Sequence, residues 1–292
     1  MRTGYACVNT SLDCSSSRTF RLKSYSDDRL QATIDENLNC LERILQYNIN
    51  HDLLFFRISS DIIPFASHPV CKLNWQKIYK ARLKKIGSII IDNDMRISMH
   101  PDQFTLINAL DSEIITRSKR ELLYHTEFLD LLGLDRSAKV QIHVGGAYGN
   151  KEESIKRFIK NYASVEEKIK ARLTIENDDR LFTVDNCLQI HHETGLPVLF
   201  DSFHHTILNN SESIYDALKR CSRTWKKRDG LPMVDYSSQN KSGRPGNHTQ
   251  HIDSRDFKSF LSQIKEIDCD IMLEIKDKEK SALKAIQIIK QL

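Results

Sequence analysis

The sequence has little of what marks a membrane, fibrous or disordered protein. Its 292 residues include only 10 glycines and 6 prolines, beside 40% hydrophobic residues, which is typical of a globular chain with little linker. No segment approaches the roughly 20 apolar residues of a membrane span. The N-terminus also lacks the apolar stretch of a signal peptide. We therefore expect a cytoplasmic protein that has no membrane contact.

Cysteine is present, but not in a pattern that indicates a function. The chain has 7 cysteines, an odd number, and none of them form a CxxC pair. This argues against both a disulfide framework and a zinc ribbon. We expect reduced thiols at all of these positions, which are Cys7, Cys14, Cys40, Cys71, Cys187, Cys221 and Cys269.

A strong excess of charge of one sign is also lacking. The 43 Lys and Arg residues exceed the 39 Asp and Glu residues by only four, which permits a polyanionic partner without requiring one. Two loop-like segments concentrate cations, RTWKKRDG at 223–230 and NKSGRPGNH at 240–248. Both suit a rim that faces phosphates, and an ordinary solvated surface explains them equally well.

What the sequence does contain is a regular alternation of short apolar runs with longer amphipathic segments. Eight candidate strands cover residues 3–9, 53–59, 96–100, 139–145, 172–177, 197–202, 231–237 and 271–276. Between the strands, apolar residues recur at the three- and four-residue spacing of helices. Gly133 and Gly195 follow two of these helical segments, where a residue in the left-handed conformation would end a helix. Without a break in composition, this pattern favours a single α/β domain over residues 1–292, a (β/α)₈ or TIM barrel, rather than two domains.

Side chains that bind metals stand at or just beyond the ends of six candidate strands. The C-terminal ends of barrel strands converge on one mouth, so these residues would become neighbours. Buried carboxylates need a counter-charge, and mixed imidazole and carboxylate ligands suit Mn²⁺, Zn²⁺ or Fe²⁺. The number of ligands predicts two or three ions, with Glu176 placed to bridge them. The residues are His100, His143, Glu176, Asp201, His204, Asp235 and Glu274.

Each of these residues also has an ordinary structural explanation when it is taken alone. A histidine at a strand end is commonly a satisfied polar residue, and Asp201 by itself is a good helix N-cap. Their joint placement on one face of the barrel favours the metal site. Such a site supports sugar isomerisation or epimerisation, hydrolysis of a small substrate, or in-line displacement at a phosphodiester, and spacing does not choose among these. Histidines within helical patterns, interpreted as packing or surface residues, are His125, His191 and His192.

Seven longer motifs run in order along almost the whole chain: RTGYACVN (2–9), RISSDIIPFASHP (57–69), SMHPDQF (98–104), IHVGG (142–146), LTIENDD (173–179), VLFDSFHH (198–205) and MLEIKDKE (272–279). Together they resemble the UV damage endonucleases. The resemblance implies a TIM barrel related in architecture to endonuclease IV and xylose isomerase, holding up to three divalent ions, commonly manganese. It also implies nicking of UV-damaged double-stranded DNA immediately 5′ to cyclobutane pyrimidine dimers and (6-4) photoproducts, which leaves a 3′-hydroxyl and a 5′-phosphate.

The resemblance implies metal-ligand roles for particular residues. Asp235 stands where a histidine is often found and stays a predicted ligand, because aspartate also binds metals. Met233 stands where some members carry a lysine that becomes carboxylated, so that modification cannot occur here. His251 is an alternative to His248. The implied ligands are His100, His143, Glu176, Asp201, His204, His248 and Glu274.

The resemblance also implies catalytic and lesion-contacting residues. Catalysis is assigned to Glu176, Asp201 and Glu274, with His68 contacting a phosphate unless it is an ordinary loop residue. A photodimer weakens stacking and pairing, so flipping it out costs less, and a polar and aromatic wedge can fill the gap. Phe104 is alternatively a core aromatic residue. The implied lesion contacts are Tyr5, Asn9, Gln103 and Phe104.

These assignments predict an in-line attack on the scissile phosphate by metal-activated water, with no covalent enzyme intermediate. We expect the protein to act as a monomer. The alternatives are an abasic-site endonuclease or a sugar isomerase built on the same barrel, and a damage-binding protein that does not cut.

Overall fold

The computed structural model describes residues 1–292, and its eight parallel strands close into one barrel in chain order. Strand β8 pairs with β1 and completes the ring. The strands are β1 (Thr3–Ala6), β2 (Phe55–Ile58), β3 (Arg96–Met99), β4 (Lys139–His143), β5 (Leu173–Glu176), β6 (Val198–Asp201), β7 (Met233–Tyr236) and β8 (Asp270–Leu273). The predicted TIM barrel is confirmed, and each predicted strand has a counterpart.

Ten α-helices surround the barrel, two more than the eight predicted. They are α1 (Asp27–Asn50), α2 (Trp75–Asp92), α3 (Ser112–Leu131), α4 (Lys151–Ala163), α5 (Glu167–Lys170), α6 (Val184–Thr194), α7 (Ser202–Ile207), α8 (Ile214–Ser222), α9 (Ser254–Ile264) and α10 (Glu279–Ile289). The helical pattern at 151–170 divides at Ser164, where the hydroxyl donates to the carbonyl of Asn161. Bonding of a serine hydroxyl to nearby backbone competes with helix continuation, so α4 ends here.

Local chemistry at the helix ends accounts for their boundaries. The side chains of Ser26, Asn74 and Asp111 accept hydrogen bonds from the first-turn backbone of α1, α2 and α3. Gly133 and Gly195 have φ angles of 74° and 71°, the left-handed conformation that ends a helix at little cost for glycine. Both predicted helix ends are therefore confirmed.

The hydrophobic core has two parts. A cluster of 62 buried residues lies between the strands and the surrounding helices. A smaller cluster packs inside the barrel, with one side chain from each of five strands. Its members are Ala6, Phe55, Leu199, Met233 and Met272. Met233 is thus a packing residue in the barrel interior. None of the helices combines the length and the apolar character that crossing a membrane would need.

The expectation that every cysteine is a free thiol is wrong for two of them. Cys14, in the loop between β1 and α1, forms a disulfide with Cys40 on α1, and their Cα atoms are 5.7 Å apart. Cys7, Cys71 and the three buried cysteines are free. An odd cysteine count does not reveal pairing, because pairing depends on which Cα atoms the fold brings within bonding distance.

The two cation-rich segments lie at opposite ends of the barrel. Residues 240–248 follow β7 and contact the strand ends that carry the predicted ligands. Residues 223–230 precede β7, and there Asp229 accepts from Lys139, the first residue of β4, at 2.5 Å. The expectation that both segments form one phosphate-facing rim is therefore wrong for 223–230, since this segment covers the N-terminal ends of the strands.

Candidate metal centre

The predicted ligands form a polar layer directly above the apolar cluster in the barrel. Side chains on a strand alternate between its two faces, so residues two apart point the same way. An apolar interior residue on β2, β6, β7 and β8 is therefore followed, two residues on, by a charged residue at the mouth. The pairs are Phe55 and Arg57, Leu199 and Asp201, Met233 and Asp235, and Met272 and Glu274.

His100, His143 and Glu176 form the first group of possible ligands. Nε2 of His143 lies 3.1 Å from Oε1 of Glu176, and Nε2 of His100 lies 3.5 Å from the same oxygen. The parallel register of β4 and β5 places His143 beside Glu176. Burial alone raises the pKa of Glu176, but the imidazoles of His143 and His100 outweigh burial and hold it below the usual range. Glu176 is therefore ionised and able to bind a cation.

Asp201, Asp235 and Glu274 form the second group. One potential ligand atom from each lies within 4.8 Å of the others. Asp201 also accepts from the backbone N–H of His204 at 2.7 Å, so it caps α7 and lines the site at once. Burial raises the pKa of Asp201 to about 7, and the nearby imidazole of His204 only partly opposes this rise. Burial lowers the pKa of His204, but Asp201 and Glu176 together raise it to about 9.

Three of the histidines are oriented as metal ligands usually are. Nδ1 of His100 donates to the carbonyl of Pro101 at 2.7 Å, and Nδ1 of His204 donates to the carbonyl of Asn177 at 3.0 Å. Nδ1 of His248 donates to the carbonyl of Glu274 at 2.6 Å. A hydrogen bond at Nδ1 leaves the lone pair on Nε2 free to coordinate a metal. Nδ1 of His143 is buried and has no hydrogen-bond partner. Hydrogen bonding at Nδ1 therefore does not determine which of the two ring nitrogens carries the proton.

The structure separates the two alternatives for the seventh ligand. Nε2 of His248 lies 3.9 Å from Oε2 of Glu274, and its ring centre is 6.3 Å from that of His204. The side chain of His251 is 73% exposed and bonds to Asp277 at 2.8 Å. His248 therefore adjoins the group of ligands, and His251 faces solvent.

Two residues in the polar layer were missed by reasoning from the sequence. Arg57 donates through Nη2 to both oxygens of Asp235, at 2.8 and 2.7 Å, and through Nη1 to Glu274. Gln141 donates to Glu176 at 2.5 Å and to Asp235 at 2.8 Å. The available signal was a polar residue flanked by apolar residues inside a strand, Arg57 in FFRI and Gln141 in KVQIH. Burial lowers the pKa of Arg57, but Asp235 and Glu274 outweigh burial and raise it, so the guanidinium stays charged.

The four predicted lesion contacts divide into two buried and two exposed residues. Tyr5 is fully buried and donates to Asn48 on α1 at 2.7 Å, while Asn9 donates to the Tyr5 hydroxyl at 2.8 Å. Both side chains thus point into the layer between strand and helix, and neither reaches a surface that DNA can touch. Gln103 is exposed, and Phe104 is 72% exposed, so Phe104 is not a core aromatic residue.

His68 lies in the same groove as Phe104. This groove has a volume of about 700 Å³ and is also lined by Asp102. Its Nδ1 accepts from the backbone N–H of Val70 at 3.0 Å, which leaves Nε2 as the donor of the neutral ring. The geometry suits a contact with an anionic or polar substrate group in the groove. His125, one of the three histidines predicted to be packing or surface residues, is fully buried and bonds to Ser60 and to the carbonyl of Glu121.

The donors present fit transition-type divalent ions. Imidazole nitrogens and carboxylate oxygens face one another at 3.1 to 3.9 Å, and the histidine rings are fixed by backbone carbonyls. Such mixed nitrogen and oxygen sets suit Mn²⁺, Zn²⁺ or Fe²⁺ better than Mg²⁺ or Ca²⁺, which prefer oxygen alone. Each of the two groups, His100 with His143 and Glu176, and Asp201 with Asp235 and Glu274, is a candidate metal-binding group.

Comparison with known proteins agrees with this geometry. A family model described as UV-endonuclease UvdE matches residues 1–292. A UV DNA damage endonuclease from Clostridium perfringens (strain 13 / Type A) is 38% identical over 294 residues, covering all of this chain and 71% of the relative. The solved structure of SacUVDE is 46% identical, covers 100% of this chain and 98% of its own, and has a TM-score of 0.95.

A more distant solved structure shares the fold alone. Endonuclease IV from Thermus thermophilus covers both chains completely, with a TM-score of 0.62 but only 14% identity. The whole-chain family match and the relative at 38% identity go further than shared architecture. The chain belongs to the UvdE family of UV-endonucleases and is an enzyme, a nuclease.

Proposed function

We propose that the protein is a metal-dependent DNA repair endonuclease that nicks duplex DNA immediately 5′ to UV photoproducts. Its substrates would be cyclobutane pyrimidine dimers and (6-4) photoproducts, and its products a 3′-hydroxyl and a 5′-phosphate. The name of the relatives, UV DNA damage endonuclease, supports the class of substrate. The observation that carries the proposal is the cluster of imidazoles and carboxylates at one end of the barrel, with the exposed aromatic residue Phe104 in the loop that follows His100.

The proposed ligands are the residues whose donor atoms face one another at the mouth. Glu176 is the candidate bridging residue, because one of its oxygens faces two imidazoles. When bound, divalent ions, with Mn²⁺ as the first choice and two or three in number, would activate water and stabilise negative charge on the phosphate and on the departing 3′-oxygen. The proposed ligands are His100, His143, Glu176, Asp201, His204, His248 and Glu274.

Other residues of the chain would bind and orient the DNA. Gln103 and Phe104 are exposed in the loop that follows His100 and would replace the stacking of a flipped lesion. His68, in the same groove as Phe104, would donate from Nε2 to a phosphate oxygen. The loop that holds His248 also carries exposed Lys241 and Arg244, which would contact the backbone on the rim.

The proposal is tested by a nicking assay on three duplexes of one sequence. One carries a single cyclobutane dimer, one an abasic site, and one no damage, and each is incubated with Mn²⁺ or with EDTA. We expect one cut just 5′ to the dimer, only with Mn²⁺, and no cut in the undamaged duplex. Glu193→Gln, which changes an exposed carboxylate on α6, serves as the control for Glu176→Gln.

The outcomes separate the proposed function from two of its alternatives, an abasic-site endonuclease and a damage-binding protein. Cleavage confined to the abasic duplex would identify an abasic-site endonuclease. Binding of the dimer duplex without cleavage, in protein that holds metal, would identify a damage-binding protein. A native gel of the protein alone, with size-exclusion chromatography, tests the proposal that the enzyme acts as a monomer.

A further inference from the structure

Asp235 differs from the other carboxylates of the centre in what surrounds it. It is fully buried, and both of its oxygens accept from Nη2 of Arg57, at 2.8 and 2.7 Å. Oδ2 also accepts from the side-chain amide of Gln141 at 2.8 Å. Arg57 itself is only 3% exposed, so its guanidinium and the carboxylate of Asp235 form an ion pair inside the barrel that is shielded from solvent.

We propose that Arg57 is a positioning residue that takes the place of a metal ion beside Asp235, so that Asp235 anchors Arg57 and Gln141 and coordinates no ion. The inference rests on the proposed function, because it concerns how the metal-dependent centre is assembled. It changes the expected role of Asp235 from ligand to anchor, and it gives the centre a binding capacity of two ions.

The lone pairs of Asp235 support this assignment. A carboxylate offers about four lone-pair positions, and three hydrogen bonds already end on Asp235. Its closeness to Asp201 and Glu274, within 4.8 Å, would by itself also suit an ion. Such an ion would have to displace charge-assisted hydrogen bonds and approach a guanidinium. By contrast, Oε1 of Glu176 faces two imidazole nitrogens and no cationic side chain.

The balance of charge in the centre also supports the assignment of Asp235 as an anchor that coordinates no ion. The centre holds four carboxylates, Glu176, Asp201, Asp235 and Glu274. With the imidazoles neutral, as metal binding requires, the guanidinium of Arg57 offsets one of these charges and leaves three. Two divalent ions are sufficient to offset them. A third ion beside Asp235 would lie within a few ångströms of Arg57, where repulsion between cations is strong.

The same guanidinium would also orient Glu274. Nη1 of Arg57 donates to Oε1 of Glu274, while Oε2 lies 3.9 Å from Nε2 of His248. One oxygen of Glu274 is thus held by Arg57, and the other is turned toward an imidazole. Arg57 acts through these two carboxylates and needs no contact with the substrate.

The experiment measures Mn²⁺ binding to the full-length protein by isothermal titration calorimetry, with bound metal counted by mass spectrometry of the native protein. Asp235→Asn keeps the shape of the side chain and is expected to bind two ions, with a Kd weaker by no more than about 10-fold to 100-fold, the usual effect of changing a residue that supports ligands without binding metal itself. Arg57→Met is expected to bind one additional ion, because it leaves Asp235 buried without a cationic partner. The double variant R57M/D235N is expected to return to two ions.

A matched control separates these effects from the general cost of breaking a buried ion pair. Asp270, at the opposite end of β8, is fully buried and accepts from Arg96 at 2.8 Å. Asp270→Asn is expected to lower the unfolding temperature and to leave the number of bound Mn²⁺ ions unchanged. Thermal unfolding followed by circular dichroism shows whether each variant is folded.

Two results would overturn the inference. Loss of one ion in folded Asp235→Asn would make Asp235 a ligand, and unchanged stoichiometry in folded Arg57→Met would mean that Arg57 does not replace an ion. If Arg57→Met does not fold, the stoichiometry of Asp235→Asn decides alone. A wild-type protein that binds no Mn²⁺ would instead contradict the proposed function and this inference together.

Discussion

Nε2 of His143, at the end of β4, lies 3.1 Å from Oε1 of Glu176, at the end of the hydrogen-bonded neighbour β5. The contact joins two residues 33 positions apart through the register of one pair of strands. His100 reaches the same oxygen from β3 at 3.5 Å. Glu176 is therefore the carboxylate on which the first half of the centre depends.

Replacing this carboxylate is expected to abolish nicking. Glu176→Gln removes the negative charge that faces His100 and His143 while it retains the size of the side chain. We expect cleavage of the dimer duplex to fall by more than about 100-fold, beyond the usual effect of changing a residue next to a ligand. The measurement is single-turnover cleavage in saturating Mn²⁺. A variant that cleaves at the rate of Glu193→Gln would exclude Glu176 from the metal centre.

Metal binding is expected to strengthen as the pH rises toward 9. Asp201 and Glu176 raise the pKa of His204 to about 9 despite burial, so without metal the ring carries a proton at neutral pH. A metal ion binds the deprotonated ring, so binding must expel this proton, and affinity is lost as the pH falls below the raised pKa. We expect about a tenfold gain in affinity per pH unit for each proton released, up to about pH 9.

Calorimetry in buffers of different ionisation enthalpy measures the number of protons released on Mn²⁺ binding. His143 contributes little to this number, because burial lowers its pKa more than Glu176 raises it. Affinity that stays constant between pH 7 and pH 9 would contradict the assignment of His204 as a ligand that is protonated before metal binds.

Truncation of the exposed aromatic residue is expected to weaken recognition of damage without weakening metal binding. Stacking of a base on an aromatic side chain contributes about 1–3 kcal/mol, so Phe104→Ala should weaken binding to the dimer duplex by roughly 5-fold to 150-fold. Leu110→Ala is the matched control, because Leu110 is also an exposed hydrophobic residue, at 65%. Equal affinity of both variants for the dimer duplex, in a filter-binding or fluorescence assay in EDTA, would remove Phe104 from the lesion contacts.

The disulfide is expected to stabilise the fold measurably. It closes a segment with a sequence separation of 26 between Cys14 and Cys40. Restricting the unfolded chain by a loop of that length contributes about 3 kcal/mol to the free energy of unfolding. Denaturant unfolding of the double variant C14S/C40S is expected to show this loss, whereas Cys71→Ser, which removes a free thiol, should not. Equal stability of both variants would show that the bond does not stabilise the native state.

Much of this architecture was readable in the sequence because it follows from short-range periodicity. The alternation of apolar strands with amphipathic helices predicted the barrel, and side chains two residues apart on a strand share one face. A ligand-type residue at the end of a strand was therefore placed at the mouth without knowledge of any contact. The positions of His100, His143, Glu176 and Asp201 all follow from this rule.

Other features depend on contacts between segments that are far apart in the chain, which periodicity does not encode. Only the folded barrel shows that Tyr5 and Asn9 point outward to α1, and that residues 223–230 cover the end opposite the centre.

The sequence by itself determined the eight-stranded barrel and the ring of histidines and carboxylates at the strand ends, because both arise from local repetition along the chain. Only the tertiary structure decided that Asp235 is paired with Arg57, 178 residues away, and that His248 rather than His251 faces Glu274. The physical reason is that an ion pair or a metal ligand is defined by distance in space. The closure of β8 on β1 sets those distances, and no local pattern contains them.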